Sequence, residues 1–494
     1  MSNIFANAMR NETRKTYTEN GATAFNSTSN GLLDFFGSAG SLRSADEDRI
    51  NRLFADAFET DSLLATKALF YVRDIRGGLG ERRTFRILLH NVANKHPEVI
   101  RPNIHLIGEY GRFDDLYELI DTPLENDMWT YMKQQLTADL EAMSNNKPCS
   151  LLAKWMKTAD ASSRKTRELG ILTAYKLGYS VYSYKRIVRA LRKYIDVTEI
   201  KMTQNNWSEI DYSAVPSRAM MNYRNAFNCH DKERYSEFIN RAVNGEAKIH
   251  AATLYPYDII EKYIAGNCFW RGFGHIRKDN TIEALWNALP DYVGQDANAI
   301  VIADTSGSMS GRPICSAVGL AIYFAQRNTG AYHNMWMNFS NESVIQYLKG
   351  DSLAEQISNF KTEGWGANTN LEKAFMKILN IAVENNIAPE EMIKSLIIIS
   401  DMEIDYCTSN SWLFYDEMRN RYAEAGYEIP NIVFWNVDSR HDIFHADKDR
   451  KGVQLCSGQS TSTFKQLMQS VGMTPIEMMM NVLNSERYAP IRID

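Results

Sequence analysis

Cysteine is scarce in this chain: there are six in 494 residues, at positions 149, 229, 268, 315, 407 and 456, and no two form a C-x-x-C pair. That scatter excludes a disulfide framework and a thiolate zinc site, and it reads as reduced, structural thiols. Long apolar runs are missing too. The longest are strand-sized, far short of the ~20 residues of a membrane-spanning helix. The opening Met1-Ser2-Asn3-Ile4-Phe5 has no basic stretch followed by an apolar core, so no signal peptide is expected and the cytoplasm is the expected location. A phosphate-cradling loop is also lacking. The stretch Arg76-Gly77-Gly78-Leu79-Gly80-Glu81-Arg82 has neither a preceding strand nor a Gly-Lys-Ser/Thr ending, and it reads as a turn between helices. His441 and His445 stand four apart beside Asp442 and Asp447, but no third imidazole or thiol is near, so that stretch reads as a polar loop.

Charge is present but unevenly spread. Residues 296–494 hold 16 basic against 24 acidic side chains, whereas residues 154–201 hold 12 basic against 4 acidic. The second stretch carries Lys154, Arg164, Lys165, Arg167, Lys185, Arg186, Arg189, Arg192 and Lys193, interleaved with Trp155, Tyr175, Tyr179, Tyr182, Tyr184 and Tyr194. On a helix from Tyr184, positions 185, 189, 192 and 193 share a face. A one-sided row of cations tracks a phosphate backbone, and aromatics beside it stack on unpaired bases, so single-stranded or structured RNA is the expected partner. The competing reading is a solvated helix face whose tyrosines are core. Arg73, Arg76, Arg82, Arg83 and Arg86 would extend the same surface.

At 494 residues the chain is too long for one core and predicts two or three domains. Residues 1–45, rich in Asn, Thr, Ser and Gly, read as an irregular arm with one short helix. Residues 46–290 read as successive amphipathic helices, an all-α, HEAT-like helical-repeat solenoid. One helical face carries Ile50, Leu53, Phe54 and Ala57, and another Phe85, Leu88, Leu89 and Val92. From 291 to 494 strands and helices alternate, with strands at 299–303, 335–339, 396–400 and 432–437, which predicts a doubly wound, Rossmann-like domain. The fold class expected is therefore multidomain, α followed by α/β.

The first and third of those strands end on acids. Ala299-Ile300-Val301-Ile302-Ala303 runs into Asp304-Thr305-Ser306-Gly307-Ser308, and Leu396-Ile397-Ile398-Ile399-Ser400 runs into Asp401. Asp304, Ser306 and Ser308 offer only oxygen, a set that suits magnesium, manganese or calcium rather than zinc. The same composition also serves turns and helix caps. Between the two strands lies a Gly-rich loop, residues 364–370, whose hydroxyl is Thr369.

Asp-x-Ser-x-Ser, a loop Thr and a strand-terminal Asp, in that order, resemble the metal-ion-dependent adhesion site of von Willebrand factor A domains. The resemblance implies a Mg2+ or Mn2+ ion held by Asp304, Ser306, Ser308 and Thr369, with Asp401 acting through water and one position open for a partner's carboxylate. Ala153-Lys154-Trp155, Tyr184-Lys185-Arg186 and Ser400-Asp401-Met402-Glu403, together with Trp207-Ser208-Glu209-Ile210-Asp211-Tyr212 and Val215-Pro216-Ser217-Arg218-Ala219-Met220, resemble the Ro-like, TROVE-related proteins over most of residues 60–485. That resemblance implies a toroid of helical repeats closed by a C-terminal von Willebrand factor A domain. It also implies a central hole that takes single-stranded ends of misfolded small RNAs, and a basic outer surface that takes structured RNA.

Three functions stay open on the sequence. The first is a non-enzymatic Ro-like RNA-binding protein. The second is an adhesion or scaffold module, including a viral structural component, that captures a partner's carboxylate through the metal without RNA. The third, a metal-dependent phosphohydrolase, needs clustered carboxylates and a base. The expectation is a protein that is not an enzyme.

Overall fold

A computed structural model describes Met9 and residues 12–264, 276–294, 297–339, 343–360, 370–406 and 414–493. Near the start, β1 (Lys15–Tyr17) and β2 (Thr23–Phe25) form an antiparallel hairpin. Six further strands build one sheet: β3 (Ala299–Asp304), β4 (Met335–Phe339), β5 (Ile345–Tyr347), β6 (Ser395–Ser400), β7 (Asn431–Asn436) and β8 (Val453–Ser457). Their order is β5-β4-β3-β6-β7-β8, and all pairs are parallel except β4 with β5.

The apolar runs explain the central strands. All six residues of β3 and all six of β6 are buried, as expected for parallel strands covered on both faces. Val301, Ala303, Ile397 and Ile399 point to the side that also carries Val318, Ala321 and Phe324 of the helix Arg312–Arg327. Ile300, Ile302, Leu396 and Ile398 point to the other side, with Phe375 and Leu379 of Leu371–Glu384 and Met418 and Tyr422 of Phe414–Glu424. From β3 the chain builds outward to β4 and β5, then returns to the opposite side of β3 with β6. The carboxyl ends of β3 and β6 therefore flank a topological switch point, where open α/β sheets form their crevice.

The remainder is helical. Asp46 caps Glu47–Thr60 by accepting from the Arg49 backbone N–H, and that helix buries Ile50, Leu53, Phe54 and Ala57. Arg82–Lys95 buries Phe85, Leu88, Leu89 and Val92. The helices Glu125–Ser144, Arg164–Lys176, Val181–Tyr194, Ser217–His230 and Lys232–Val243 continue the series. Leu116 and Leu119 lie on a 3-10 segment, Phe113–Leu119.

The cores do not follow the expected boundaries at 45/46 and 290/291. Residues 1–45 contain more than one short helix: the β1-β2 hairpin bridges to the α/β unit through Phe25 and Phe444, and Gly31–Ser38 packs beside β8. Helices from 217 to 287 share one apolar core with a face of the sheet, whereas Met479, Val482, Leu483 and Tyr488 from the end of the chain join the core of residues 32–191. Arg487 and Tyr488 reach the buried Asp74, with Arg487 Nε 2.9 Å and the Tyr488 hydroxyl 3.1 Å from its carboxylate.

The glycine loop lies at this junction. The Gly77 carbonyl accepts from Gln466 Nε2 at 3.2 Å. A Cβ on Gly78 would stand 2.1 Å from the Tyr71 carbonyl oxygen, and one on Gly80, at φ +67°, 1.7 Å from the Tyr255 hydroxyl. The loop is thus a packed joint, as its reading as a turn implies. Gly80→Ala combines a left-handed backbone with overpacking and is expected to cost about 2–5 kcal/mol. A urea or thermal midpoint within error of the wild type would contradict this.

The nearby arginines are engaged by acids and backbone carbonyls of their own region, with Arg73 buried and Arg76, Arg82 and Arg83 still exposed. Arg73 and Arg86 pair with Asp115 at 2.7 and 2.6 Å, Arg82 pairs with Asp114 at 3.0 Å, Arg83 donates to the Ala45 carbonyl and Arg76 to that of Glu109.

Candidate functional site

At the switch point, Asp304 ends β3 fully buried. Its Oδ1 accepts from the Ser306 backbone N–H at 2.8 Å and its Oδ2 from the Ser400 hydroxyl at 2.7 Å. The Ser306 and Ser308 hydroxyls are 3.0 Å apart. Asp401 is buried and accepts from the Glu403 backbone N–H at 3.2 Å and from Arg440 Nη2 at 2.7 Å. Burial first, and then the charge of Asp401, push the Asp304 carboxyl well above the usual carboxylate range. The Thr305 hydroxyl is buried without a hydrogen-bond partner among the described residues. Asp304, Ser306, Ser308 and Asp401 thus come from two adjacent strand ends, whereas Thr369 lies outside the described residues. The donor set is all oxygen, and a counter-cation would relieve the repulsion between the two acids, so the residues present fit a hard divalent ion.

Sequence reasoning named His441 and Glu403 but missed Arg440, Glu19 and the contacts that join all four behind these candidate ligands. Arg440 bridges Asp401 and Glu19, each at 2.7 Å. His441 Nδ1 is 2.9 Å from Glu403 Oε1, and Glu403 also accepts from the Glu19 backbone N–H at 2.6 Å. Glu19, Glu403 and His441 bring their ligating atoms within 4.8 Å of one another. Position after β7 was the one available signal for Arg440 and His441, since loops at that end of the sheet line the crevice. Nothing local marks Glu19, which arrives with the hairpin.

His441 and His445 do not converge. His445 is buried, with Nε2 3.0 Å from the Met402 carbonyl and Nδ1 without a partner among the described residues. Asp442 is taken by Arg49 and Arg52, at 2.8 and 2.7 Å. Burial lowers His445 to about 4. Its folded pKa then lies below the ordinary ~6.5, so its contribution is complete above pH 6.5 and is lost as pH falls toward 4. Between pH 7 and 5 the wild type is expected to lose about 2 kcal/mol that His445→Gln does not lose. Equal pH dependence of the two denaturation midpoints would refute the assignment.

The second candidate surface is the basic helix, Val181–Tyr194. Its buried stripe is Tyr184, Val188 and Leu191, with the Tyr184 hydroxyl on the Lys157 carbonyl at 2.6 Å. That stripe turns Tyr182, Arg186, Arg189 and Lys193, spaced four, three and four, outward together. The face expected from 185, 189, 192 and 193 is therefore corrected. Arg192 is half-buried and donates to the backbone carbonyls of Ala153 and Met156, both at 2.8 Å, so it caps the short helix Leu152–Trp155. Lys185 pairs with Asp160 at 2.8 Å, and Arg164 with Glu168 at 2.8 Å. Arg167 donates to the Ala161 carbonyl at 3.1 Å, and Lys154 lies 5.9 Å from the Trp155 ring centre. Lys165, Arg186, Arg189 and Lys193 are exposed and make no hydrogen bond or ion pair among the described residues. Tyr175 and Tyr182 are 78% and 75% exposed, so these two tyrosines are not core.

Fold and site together define a protein of α plus α/β architecture with acids and hydroxyls gathered at the carboxyl edge of its sheet. A family model described as "Domain of unknown function (DUF2828)" matches residues 18–166 and 149–296, more than half of the chain, and the chain belongs to that family. A second, "Domain of unknown function (DUF7788)", matches residues 298–488. The chain is similar to "Uncharacterized protein L728" of Acanthamoeba polyphaga mimivirus, at 25% identity over 97% of this chain and 89% of the relative. Among solved structures it is similar to the Ro (RSR) protein of Deinococcus radiodurans, with a TM-score of 0.40 and 13% identity over 92% of this chain and 99% of the other. Among the described residues no helix is long and apolar enough to cross a membrane.

Proposed function

We propose that this is a non-catalytic, Ro-like RNA-binding protein that also carries a divalent-metal site for docking a partner. The observation that carries the RNA reading is the outward face of Tyr182, Arg186, Arg189 and Lys193, with Tyr175 exposed on the preceding helix. Unpaired cations attract phosphates, and the exposed rings offer π-faces to unstacked bases. Titrating a labelled single-stranded RNA at rising salt should give a log–log slope of about −2 to −3, from three to four contacts at about −0.7 each. A slope near zero would contradict phosphate recognition.

For the metal, Asp304, Ser306 and Ser308 would be the direct ligands, with Asp401 behind them and Thr369 as a further hydroxyl. A bound Mg2+ or Mn2+ would supply a coordination position for a partner's carboxylate. The non-catalytic reading is supported by where the neighbouring acid is spent. Asp401 is paired with Arg440, whose positive charge makes it a poor base for phosphoryl chemistry.

A further inference from the structure

A second cationic feature lies far along the chain from the basic helix. The helices Ser217–His230, Lys232–Val243, Pro256–Ile264 and Asn280–Asn287 enclose a cleft of about 620 Å³. Lys262, Arg277 and Lys278 line it, all three exposed, and none makes an ion pair among the described residues. The acid at its edge, Asp279, is already spent. Arg224 Nε holds it at 2.9 Å, and its other oxygen caps Asn280–Asn287 by accepting from the Thr281 and Ile282 N–H groups at 2.9 and 3.3 Å. The cleft therefore presents three uncompensated positive charges in a concave setting, where field lines concentrate.

Carboxamides stand among its other lining groups. Asn225, Asn228 and Asn240 are exposed to the same space; Asn225 and Asn228 make no side-chain hydrogen bond among the described residues, and Asn240 meets only Asn280 at 3.5 Å. A carboxamide donates and accepts at once, the pattern that matches the edge of a nucleobase. A lone carboxylate would leave most of this charge unanswered. A phosphate at neutral pH brings nearly two negative charges and several acceptor oxygens. The volume is that of a small-molecule site.

We infer that this cleft binds the phosphate of a nucleotide, through Lys262, Arg277 and Lys278, with Asn225, Asn228 and Asn240 facing the base. The nucleotide is either free or the 5′-phosphorylated end of an RNA. The inference does not rest on the role of the basic helix, and the two fail separately.

The test is calorimetric titration of the full chain with ATP, AMP and inorganic phosphate, and with one short RNA carrying a 5′-phosphate or a 5′-hydroxyl. Binding of ATP or AMP at least tenfold tighter than inorganic phosphate identifies the free nucleotide. A tenfold preference for the 5′-phosphorylated RNA identifies the RNA end. In either case Lys262→Glu, Arg277→Glu and Lys278→Glu together should remove the preference while leaving the melting temperature within error, since all three side chains are exposed. Arg419→Glu with Lys465→Glu, exposed cations of the α/β half, should leave it intact. The inference is overturned if none of these ligands binds saturably, or if the triple variant retains the preference. Equal loss of the preference in the Arg419 and Lys465 variant overturns it too.

Discussion

Arg186→Glu, Arg189→Glu and Lys193→Glu combined should weaken single-stranded RNA binding at least about a hundredfold at physiological salt, and flatten the salt dependence that remains. Neutralising three phosphate contacts removes about two units of log–log slope, and reversing their charge adds repulsion. The effect is specific because these side chains are exposed and make no ion pair or hydrogen bond among the described residues, so the fold loses little with them. Arg192 is left out deliberately: its guanidinium holds the carbonyls of Ala153 and Met156, and changing it would confuse unfolding with lost affinity. The matched control changes Arg419, Lys451 and Lys465, exposed cations of the α/β half, to Glu. Equal loss from both triples would mean that only bulk charge matters. Tyr182→Ala should cost a further ~1–3 kcal/mol of binding with no change in slope, as a stacking contact would.

Asp304→Asn should abolish saturable Mn2+ and Mg2+ binding measured by calorimetry, with the fold intact. Asp304 is not the exposed loop carboxylate its motif suggests. It is fully buried and accepts from Ser306 and Ser400, so alanine would strand both donors. Asparagine keeps the shape and one acceptor oxygen, and it removes the charge that repels Asp401. Ser306→Ala and Ser308→Ala should each weaken binding while leaving the Asp304–Ser400 contact in place. Arg440→Gln should strengthen metal binding by freeing the Asp401 carboxylate from its guanidinium. Unchanged metal affinity in Asp304→Asn would place any bound ion elsewhere, with Glu19, Glu403 and His441 the next residues to change.

Much of the sheet was legible in the sequence because β3 and β6 are six-residue runs dominated by Ile, Val, Leu and Ala that end on Asp304 and on the Ser400-Asp401 pair. Burial on both faces leaves that uniform signature. The edge strand β5, only Ile345–Tyr347, is too short to show any period, and β8 hides behind the polar, buried Gln454. Helix faces were read correctly where apolar residues alone defined them, as in Glu47–Thr60. On Val181–Tyr194 cations line more than one side, and only the burial of Tyr184, Val188 and Leu191 fixes the rotation that sends Arg192 inward and Arg186 outward. The candidate ligands Asp304, Ser306, Ser308 and Asp401 stood out because they cluster at the ends of two apolar strands. Arg440 and Glu19 did not, because Arg440 reaches Asp401 from a different loop and Glu19 reaches Arg440 only through a fold contact from the far end of the chain.

The reading of this chain as an RNA-binding protein meets its most direct test in photocrosslinking of the full chain to a single-stranded RNA containing 4-thiouridine, with crosslinked peptides identified by mass spectrometry. The crosslinks should fall on residues 175–193, centred on Tyr175 and Tyr182, and should disappear in the Arg186, Arg189 and Lys193 triple variant. Absence of any crosslink, or crosslinks confined to the α/β half and unchanged in that variant, would contradict it.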